Sequence, residues 1–395
     1  MNLEVLIIYF LLIVFPFGQL TKIPLNIDQV NIYFHDFLIM LILIIWLIRQ
    51  ISLKRKFLIS KLNRYILGFI IITAFSLTIN ISSYKFNEIL IAFLYLARWL
   101  IYAGIYFVIA DLSRQNLVFK KNVYDLLIIA TVSAAILGLL QYIYIPDIRP
   151  LAAFAWDPHY YRIVGTYLDP GFTSMIYVLG IILIVLRSWK DKKNLILKLS
   201  FLITYIALAL TYSRSGYLAY IIAMLIIAFK KKAVMFMIVV FLTGIITLLT
   251  LPRPGGEGVK LERQSTIRAR IINWQQTLKI YSQKPLFGWG FNGLRYVQRD
   301  LGLISNNDWE QTHSGSGTDS SLLFVLATTG IIGLIIYLYL MVNIIKLSYQ
   351  RSLLIFSSFC SLIIHSFFNN SLFYNWILIW GWMILGLNFK LKDNN

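Results

Sequence analysis

The sequence predicts an all-α polytopic membrane protein, with about twelve transmembrane helices and a long external loop. Three observations lead there. Of the 395 residues, 59% are hydrophobic and only 13% charged, against roughly 25% charged in a soluble domain. Apolar runs of about 20 residues, the length that crosses a ~30 Å hydrocarbon core, recur from end to end. They fall near 3–20, 33–49, 65–81, 89–110, 123–145, 172–187, 195–212, 215–229, 233–251, 320–345, 352–368 and 371–388. The third observation is where the cations lie. With the N-terminus inside, the short inner connections collect 21 Lys and Arg residues, and the short outer ones only Lys22, Lys85, Arg149, Arg162 and Arg214. This asymmetry sets both termini on the cytoplasmic side. It also accounts for most of the net charge of +19, so the basic excess reads as a topology signal and no nucleic-acid partner is expected.

Taken in order, the first run lacks a basic leader and a small-residue cleavage site, and reads as a span rather than a signal peptide. Cys360 lies alone inside an apolar run and says nothing about redox compartment. Two loops are long, 146–171 and 252–319, and both fall outside. The second opens with the breaker cluster Pro252-Arg-Pro-Gly-Gly256. Ile267, Ile271, Trp274, Leu278 and Tyr281 then follow 4-3-4-3 spacing, which predicts an amphipathic helix from Arg263 to Tyr281. Such a helix lies on the membrane surface with Arg263 and Arg270 at one border of its stripe, while Arg268 and Lys279 face away. Pro285-Leu-Phe-Gly-Trp-Gly-Phe-Asn292 ends it in a tight apolar turn. No internal repeat is evident, and residues 1–395 read as one integral membrane domain with an external cap.

Several polar residues stand out against this background. Arg214 sits in Thr211-Tyr-Ser-Arg-Ser-Gly-Tyr217, between two apolar runs. A guanidinium at a membrane face calls for a partner, and a lipid phosphate is the nearest anion; the alternative is a snorkelling interface residue. Arg270 has the corresponding alternative of a head-group anchor, and Arg263 and Arg268 read as surface anchors, although Arg263 shares the useful face. His313, in Gln311-Thr-His-Ser-Gly-Ser-Gly-Thr318, has the chemistry to take a proton from a hydroxyl near neutral pH, or is an ordinary loop histidine. Asp319 is a second candidate base, or a carboxylate satisfying free amides at a helix start. In the first loop, Arg162 is a further cation on the outer side. Trp156, Tyr160 and Tyr161 either stack on sugars or form an interfacial belt. Arg98, inside the fourth run, is either functional or one half of a buried ion pair. His35, Asp36 and His365 show no metal-ligand spacing and receive no role, and His159 has no evident partner. There is no nucleotide-binding glycine loop, metal cluster or nucleophile triad, so no metal and no cofactor are expected.

Several of these segments occur together in a known family. Thr211-Tyr-Ser-Arg-Ser-Gly216 resembles the motif at the outer end of a span in the O-antigen ligase and O-antigen polymerase superfamily. Arg270-Ile-Ile-Asn-Trp274 followed by Pro285-Leu-Phe-Gly-Trp-Gly290 is similar to its second motif. His313, Thr318-Asp-Ser-Ser321 and Leu326-Ala-Thr-Thr-Gly-Ile-Ile-Gly333 are similar to its re-entry segment, and Tyr161 to Gly171 to a further loop motif. The order holds over residues 160–345, external loop included. The resemblance implies a membrane glycosyltransferase of the C-type fold in the cytoplasmic (inner) membrane, with its active site facing outward. It implies an undecaprenyl-diphosphate-linked oligosaccharide as donor and a glycan, lipid or protein hydroxyl as acceptor, with membrane lipids around it and no metal. Within that pattern Arg214 and Arg270 hold the diphosphate, Arg162 in the loop motif contacts glycan or phosphate, and His313 acts at the acceptor. The chain departs from the ligase pattern after the histidine, where Ser-Gly-Ser-Gly precedes Asp319-Ser320. That leaves His313 or Asp319 as the base and tilts the reading toward a polymerase. The rival class is a lipid-linked glycan flippase or other multi-span transporter. Transporters usually carry midplane polar sites on broken helices within paired repeats, whereas here the polar chemistry gathers in one asymmetric outer cap.

Overall fold

The computed structural model describes residues 2–24, 30–54, 61–154, 156–304 and 317–388. Nine apolar helices come first: α1 (Leu3–Val14), α2 (Phe34–Ser52), α3 (Lys61–Ile79), α4 (Phe86–Gln115), α5 (Leu117–Tyr144), α6 (Pro170–Ser188), α7 (Leu195–Ala209), α8 (Arg214–Lys230) and α9 (Val234–Thr250). The long loop holds α10 (Ser265–Tyr281) and α11 (Leu294–Asp300), and α12 (Ser321–Ser348), α13 (Leu353–Ser366) and α14 (Asn375–Asn388) complete the bundle. Among the described residues the only sheet is a two-residue antiparallel ladder, Lys22–Ile23 with Ile32–Tyr33. The all-α polytopic architecture is therefore as expected, and each of the twelve apolar runs coincides with a helix. Seven are long and apolar enough to cross a membrane. The other five, α7, α8, α9, α13 and α14, have 14 to 17 residues. At ~1.5 Å per residue they reach about 21–26 Å, short of a ~30 Å core. The turns between α7 and α8 and between α13 and α14 lie at the same end of the bundle, and it is there that the polar chemistry gathers.

Helix α6 forms the axis: every residue from Pro170 to Val185 except Phe172 is buried. It packs against α5, α7, α8 and α13. Small residues permit the close approaches. A Cβ on Gly180 would stand 2.2 Å from Thr131 Cγ2 of α5, and one on Gly216 of α8 would stand 2.3 Å from Ser174 Oγ of α6. Polar caps start the helices where the sequence supplies them. Asp169 accepts from Phe172 N at 2.8 Å with Pro170 in the first turn, and Ser213 accepts from Gly216 N at 3.2 Å. Helix α9, by contrast, buries only Val240 and turns an apolar surface outward, as a lipid-facing helix does.

Charges inside the bundle are mostly neutralised. Arg98 donates to Asp36 at 3.0 Å and to Asn31 O at 2.6 Å, and Tyr102 donates to the same carboxylate. Of the two readings open for Arg98, the ion pair is the one observed. Arg49 likewise meets Glu4 at 3.1 Å and Asp111 at 2.8 Å.

The turn expected after α10 does more than end a helix. Gly330 breaks α12 with φ 68°, freeing backbone groups that would be costly in an apolar interior. The segment 285–290 docks onto that break. Trp289 N donates to Ala327 O at 3.0 Å, Gly290 N to Thr328 O at 2.9 Å, and Ile331 N to Pro285 O at 2.9 Å. Ser76 of α3 and Asn80 close the joint, donating to Thr328 O and Gly288 O at 2.8 and 3.0 Å. The external loop is thus bolted to α12 backbone to backbone.

The expected start of the amphipathic helix needs correction. It begins at Ser265, because Arg263 is held in a preceding turn where its guanidinium bonds Gly258 O and Lys260 O, both at 2.8 Å. The stripe residues Ile267, Ile271 and Leu278 stay about 45% exposed, while Thr277 and Ile280 pack inward.

Gly288→Ala tests the joint. Gly288 has φ 67°, and an added Cβ would stand 2.5 Å from Thr328 C. A loss of about 2 kcal/mol or more is expected from backbone strain and overpacking, read as a lowered thermal midpoint of the detergent-solubilised protein.

Candidate active site

The α7–α8 turn carries the first arginine. Tyr212 adopts φ 50°, a conformation that turns consecutive carbonyls toward the external loop. Arg162 donates through Nε to Thr211 O at 3.0 Å and through Nη2 to Tyr212 O at 3.4 Å. Arg263 reaches the same Tyr212 O at 3.2 Å. Arg214, the first residue of α8, points the other way: Nη1 donates to Leu261 O at 3.2 Å and Arg263 O at 3.0 Å, and Nη2 to Thr266 Oγ1 at 2.5 Å. Arg270, one turn further along α10, reaches Asn369 Oδ1 at 3.5 Å with Phe368 beneath it, 6.0 Å from the ring centroid. Four of the residues singled out by the sequence therefore come together from three separate segments.

Carbonyls, not carboxylates, hold these guanidiniums. Among the described residues none of Arg162, Arg214, Arg263 and Arg270 forms an ion pair. Burial lowers Arg162, and the Arg263 charge lowers it further. Arg263 is lowered by burial and then by Arg214 and Arg270, and Arg270 by burial against an opposing pull from Asp319. Two like charges about 8 Å apart repel by about 2 kcal/mol at an effective dielectric near 20. The cluster therefore stores repulsion that an anion would relieve. Arg263 Nε is also a buried donor with no hydrogen-bond partner among the described residues.

Beside the arginines lies a cavity of about 390 Å³ lined by Arg214, Ser215, Leu218, Ile267, Arg270, Ile271, Trp274 and Phe368. Its cationic end is formed by Arg214 and Arg270. Its walls are apolar, and Leu218, Ile267 and Ile271 remain exposed on the outer surface of the bundle. A head group with several phosphate oxygens and an apolar tail fits that division.

Asp319 stands on the far side of Arg270. Its amide donates to Asn273 Oδ1 of α10 at 3.0 Å, and Asn273 and Gln298 hold Gly317 O at 3.2 and 2.9 Å. The side chain that caps α12 is Ser320, which accepts from Leu323 N, so the capping reading of Asp319 does not hold. Burial raises the Asp319 carboxyl above its usual range, with Arg270 pulling back, which makes it a stronger base once ionised. His313 lies outside the described residues.

Two residues given no role in the sequence reading belong to this site. His365, near the end of α13, is fully buried. Its Nε2 lies 3.3 Å from Ser215 Oγ, and its Nδ1 2.6 Å from Ser371 Oγ. Asn369 donates to Ser215 Oγ at 2.8 Å and accepts from Arg270 through Oδ1. The signal was present as a polar pair at i, i+4 closing an apolar run. His159, also passed over, is half-buried near the cluster, and its imidazole is pushed down to about 3 by desolvation and then by Arg162 and Arg263. It is therefore neutral beside the guanidiniums. Tyr160 lies under Arg149, 4.6 Å from its ring centroid. Among the described residues no cluster of His, Cys, Asp and Glu could hold a metal.

Residues 199–338 match the family model described as O-antigen ligase. Over that segment, less than half of the chain, the protein is similar to the O-antigen ligase family. The matched segment runs from α7 into α12 and contains Arg214, Arg263, Arg270 and Asp319, while Arg162, His365 and Asn369 reach the cluster from outside it. The match supports a membrane enzyme of O-antigen or polysaccharide assembly. Among curated protein sequences no match to the chain was found.

The clustered charge gives a test that does not need the glycan. Inorganic pyrophosphate is expected to raise the thermal midpoint of the purified protein, and Arg270→Gln to remove most of that rise, measured by differential scanning fluorimetry.

Proposed function

We propose that the protein transfers or polymerises an oligosaccharide from undecaprenyl diphosphate onto an acceptor hydroxyl on the outer side of the cytoplasmic membrane. The observation that carries this reading is a cluster of four guanidiniums, none in an ion pair among the described residues, of which Arg214 and Arg270 form the end of an apolar-walled cavity exposed along the bundle's flank. Both termini lie in the cytoplasm in this orientation, a placement that the unequal distribution of Lys and Arg supports. Residues 160–345, with the external loop, form the catalytic core of one integral membrane domain.

The bond that breaks joins the anomeric carbon of the donor sugar to a phosphate oxygen. As it breaks, negative charge grows on the leaving diphosphate. Donors already fixed in place stabilise that charge more than they stabilise the intact donor. Arg214 and Arg270 are the residues at the cavity and take the phosphate oxygens, with the positive dipole end of α8, capped by Ser213, beside them. Arg162 and Arg263 lie one layer back and raise the local potential. The acceptor hydroxyl loses its proton to Asp319 or His313 as it attacks the anomeric carbon, and that proton goes to solvent. His365 holds Ser215 and, through Asn369, the Arg270 guanidinium, which makes it a positioning residue. No step in this scheme calls for a metal.

Reconstitution with undecaprenyl-diphosphate glycan and candidate acceptors tests the proposal, and product length separates single transfer from chain growth. Arg214→Ala and Arg270→Ala are each expected to lower turnover by about 10²-fold or more, as loss of a charge-stabilising donor does, with membrane insertion unchanged. Near-normal turnover in both would remove the diphosphate clamp. Activity is also expected to survive excess EDTA, and a chelator-sensitive reaction would contradict the metal-free scheme.

A further inference from the structure

At the end of the bundle opposite the arginine site lies a second cationic cleft, of about 450 Å³. Three elements supply its cations. Lys120 and Lys121 come from the start of α5, Arg187 from the last turn of α6 with Lys190 just beyond it, and Lys231 from the turn after α8. Arg187 is paired with Asp125. Among the described residues Lys121, Lys190 and Lys231 are in no ion pair. The inner wall is apolar, formed by Leu183, Leu186, Leu353 and Leu354. Ser352, the cap of α13, and Asn388, bonded to Tyr124, complete its floor with neutral polar groups.

Retention of a topology requires only that lysines lie on the right side of the membrane. It does not require that three separate connections deliver them to one recess with a leucine wall. A cationic rim over an apolar wall, at the level where helices leave the bilayer, matches an amphiphile with a phosphate at its head. We propose that this cleft binds the phosphate head group of an anionic phospholipid, with its acyl chains against the leucine wall. The site is separate from the arginine cluster, and it holds whether or not the glycosyl-transfer reading does. Free phosphate shares the head-group chemistry but leaves the leucine wall unused.

Native mass spectrometry of the full chain released from detergent tests this with added phosphatidylglycerol, phosphatidylcholine and inorganic phosphate in separate arms. Wild type is expected to retain phosphatidylglycerol at least tenfold better than phosphatidylcholine. Combined Lys121→Gln, Lys190→Gln and Lys231→Gln should bring the two lipids to parity, because each surface cation contributes a several-fold factor toward an anionic lipid. The matching triple arginine variant should keep the preference, which separates loss of charge from loss of fold. Competition by inorganic phosphate at low millimolar concentration would support the anion site but assign it to a soluble ligand. An undiminished phosphatidylglycerol preference in the glutamine variant, or no preference in wild type, overturns the proposal.

Discussion

Cationic groups held by carbonyl oxygens, with no carboxylate in contact, are the constraint around which this molecule is arranged. A carbonyl satisfies a guanidinium's hydrogen bonds without cancelling its charge. Arg162, Arg214 and Arg263 make seven hydrogen bonds to six backbone carbonyls, those of Thr211, Tyr212, Gly258, Lys260, Leu261 and Arg263. The donors are fixed and the positive potential remains. Supplying those carbonyls requires irregular backbone at the end of a helical bundle, and the sequence provides it through the positive φ at Tyr212 and the Pro252–Gly256 breaker.

Irregular backbone needs a rigid support, and the broken helix supplies it. Helix α12 gives up its own ladder at Gly330 and shares backbone hydrogen bonds with the 285–290 segment. That joint anchors the C-terminal end of α10, while Arg214 with Leu261, Arg263 and Thr266 anchors its N-terminal end. The amphipathic helix is therefore fixed at both ends, with Arg270 between them. Its exposed stripe of Ile267 and Ile271 lines the same cavity as that guanidinium. Apolar wall and cationic end are thus set by one element.

How much of this was legible follows from what each residue reveals by itself. The spans and the prominence of Arg214 and Arg270 come from transfer energetics, which a single chain position already carries. The twelve apolar runs became twelve helices for that reason. Arg263 was placed on a helix because its spacing suits one, but competing turn carbonyls at Gly258 and Lys260 claimed its side chain. His365 was passed over because its meaning lies in a partner 150 positions away, Ser215, and no local pattern reports such a contact. Gly330 looked like a re-entry signal, yet a glycine in an apolar run is compatible with an intact helix. Only the facing backbone of the 285–290 segment shows that the helix breaks there.

The arginines of this chain separate into two groups by their partners. Arg98, Arg49 and Arg299 meet Asp36, Asp111 with Glu4, and Glu88, at distances of 2.5 to 3.1 Å. Those pairs join α2 to α4, α1 to α2 and α4 to α11, and a paired charge in an apolar setting asks for nothing further. The four around the cavity have the same side chain and comparable burial, yet Asp169 and Asp319 act on them only from outside ion-pair contact. Had those carboxylates closed onto Arg162 and Arg270, the cluster would be more stable and would attract no anion. Holding them back leaves positive charge on the cavity side. It also leaves the Asp319 carboxyl outside ion-pair contact at the edge of the cluster, where burial raises it and Arg270 pulls it back. Ion-paired and clustered arginines are thus distinguished here by what neutralises them, a property that neither exposure nor position along the chain reports.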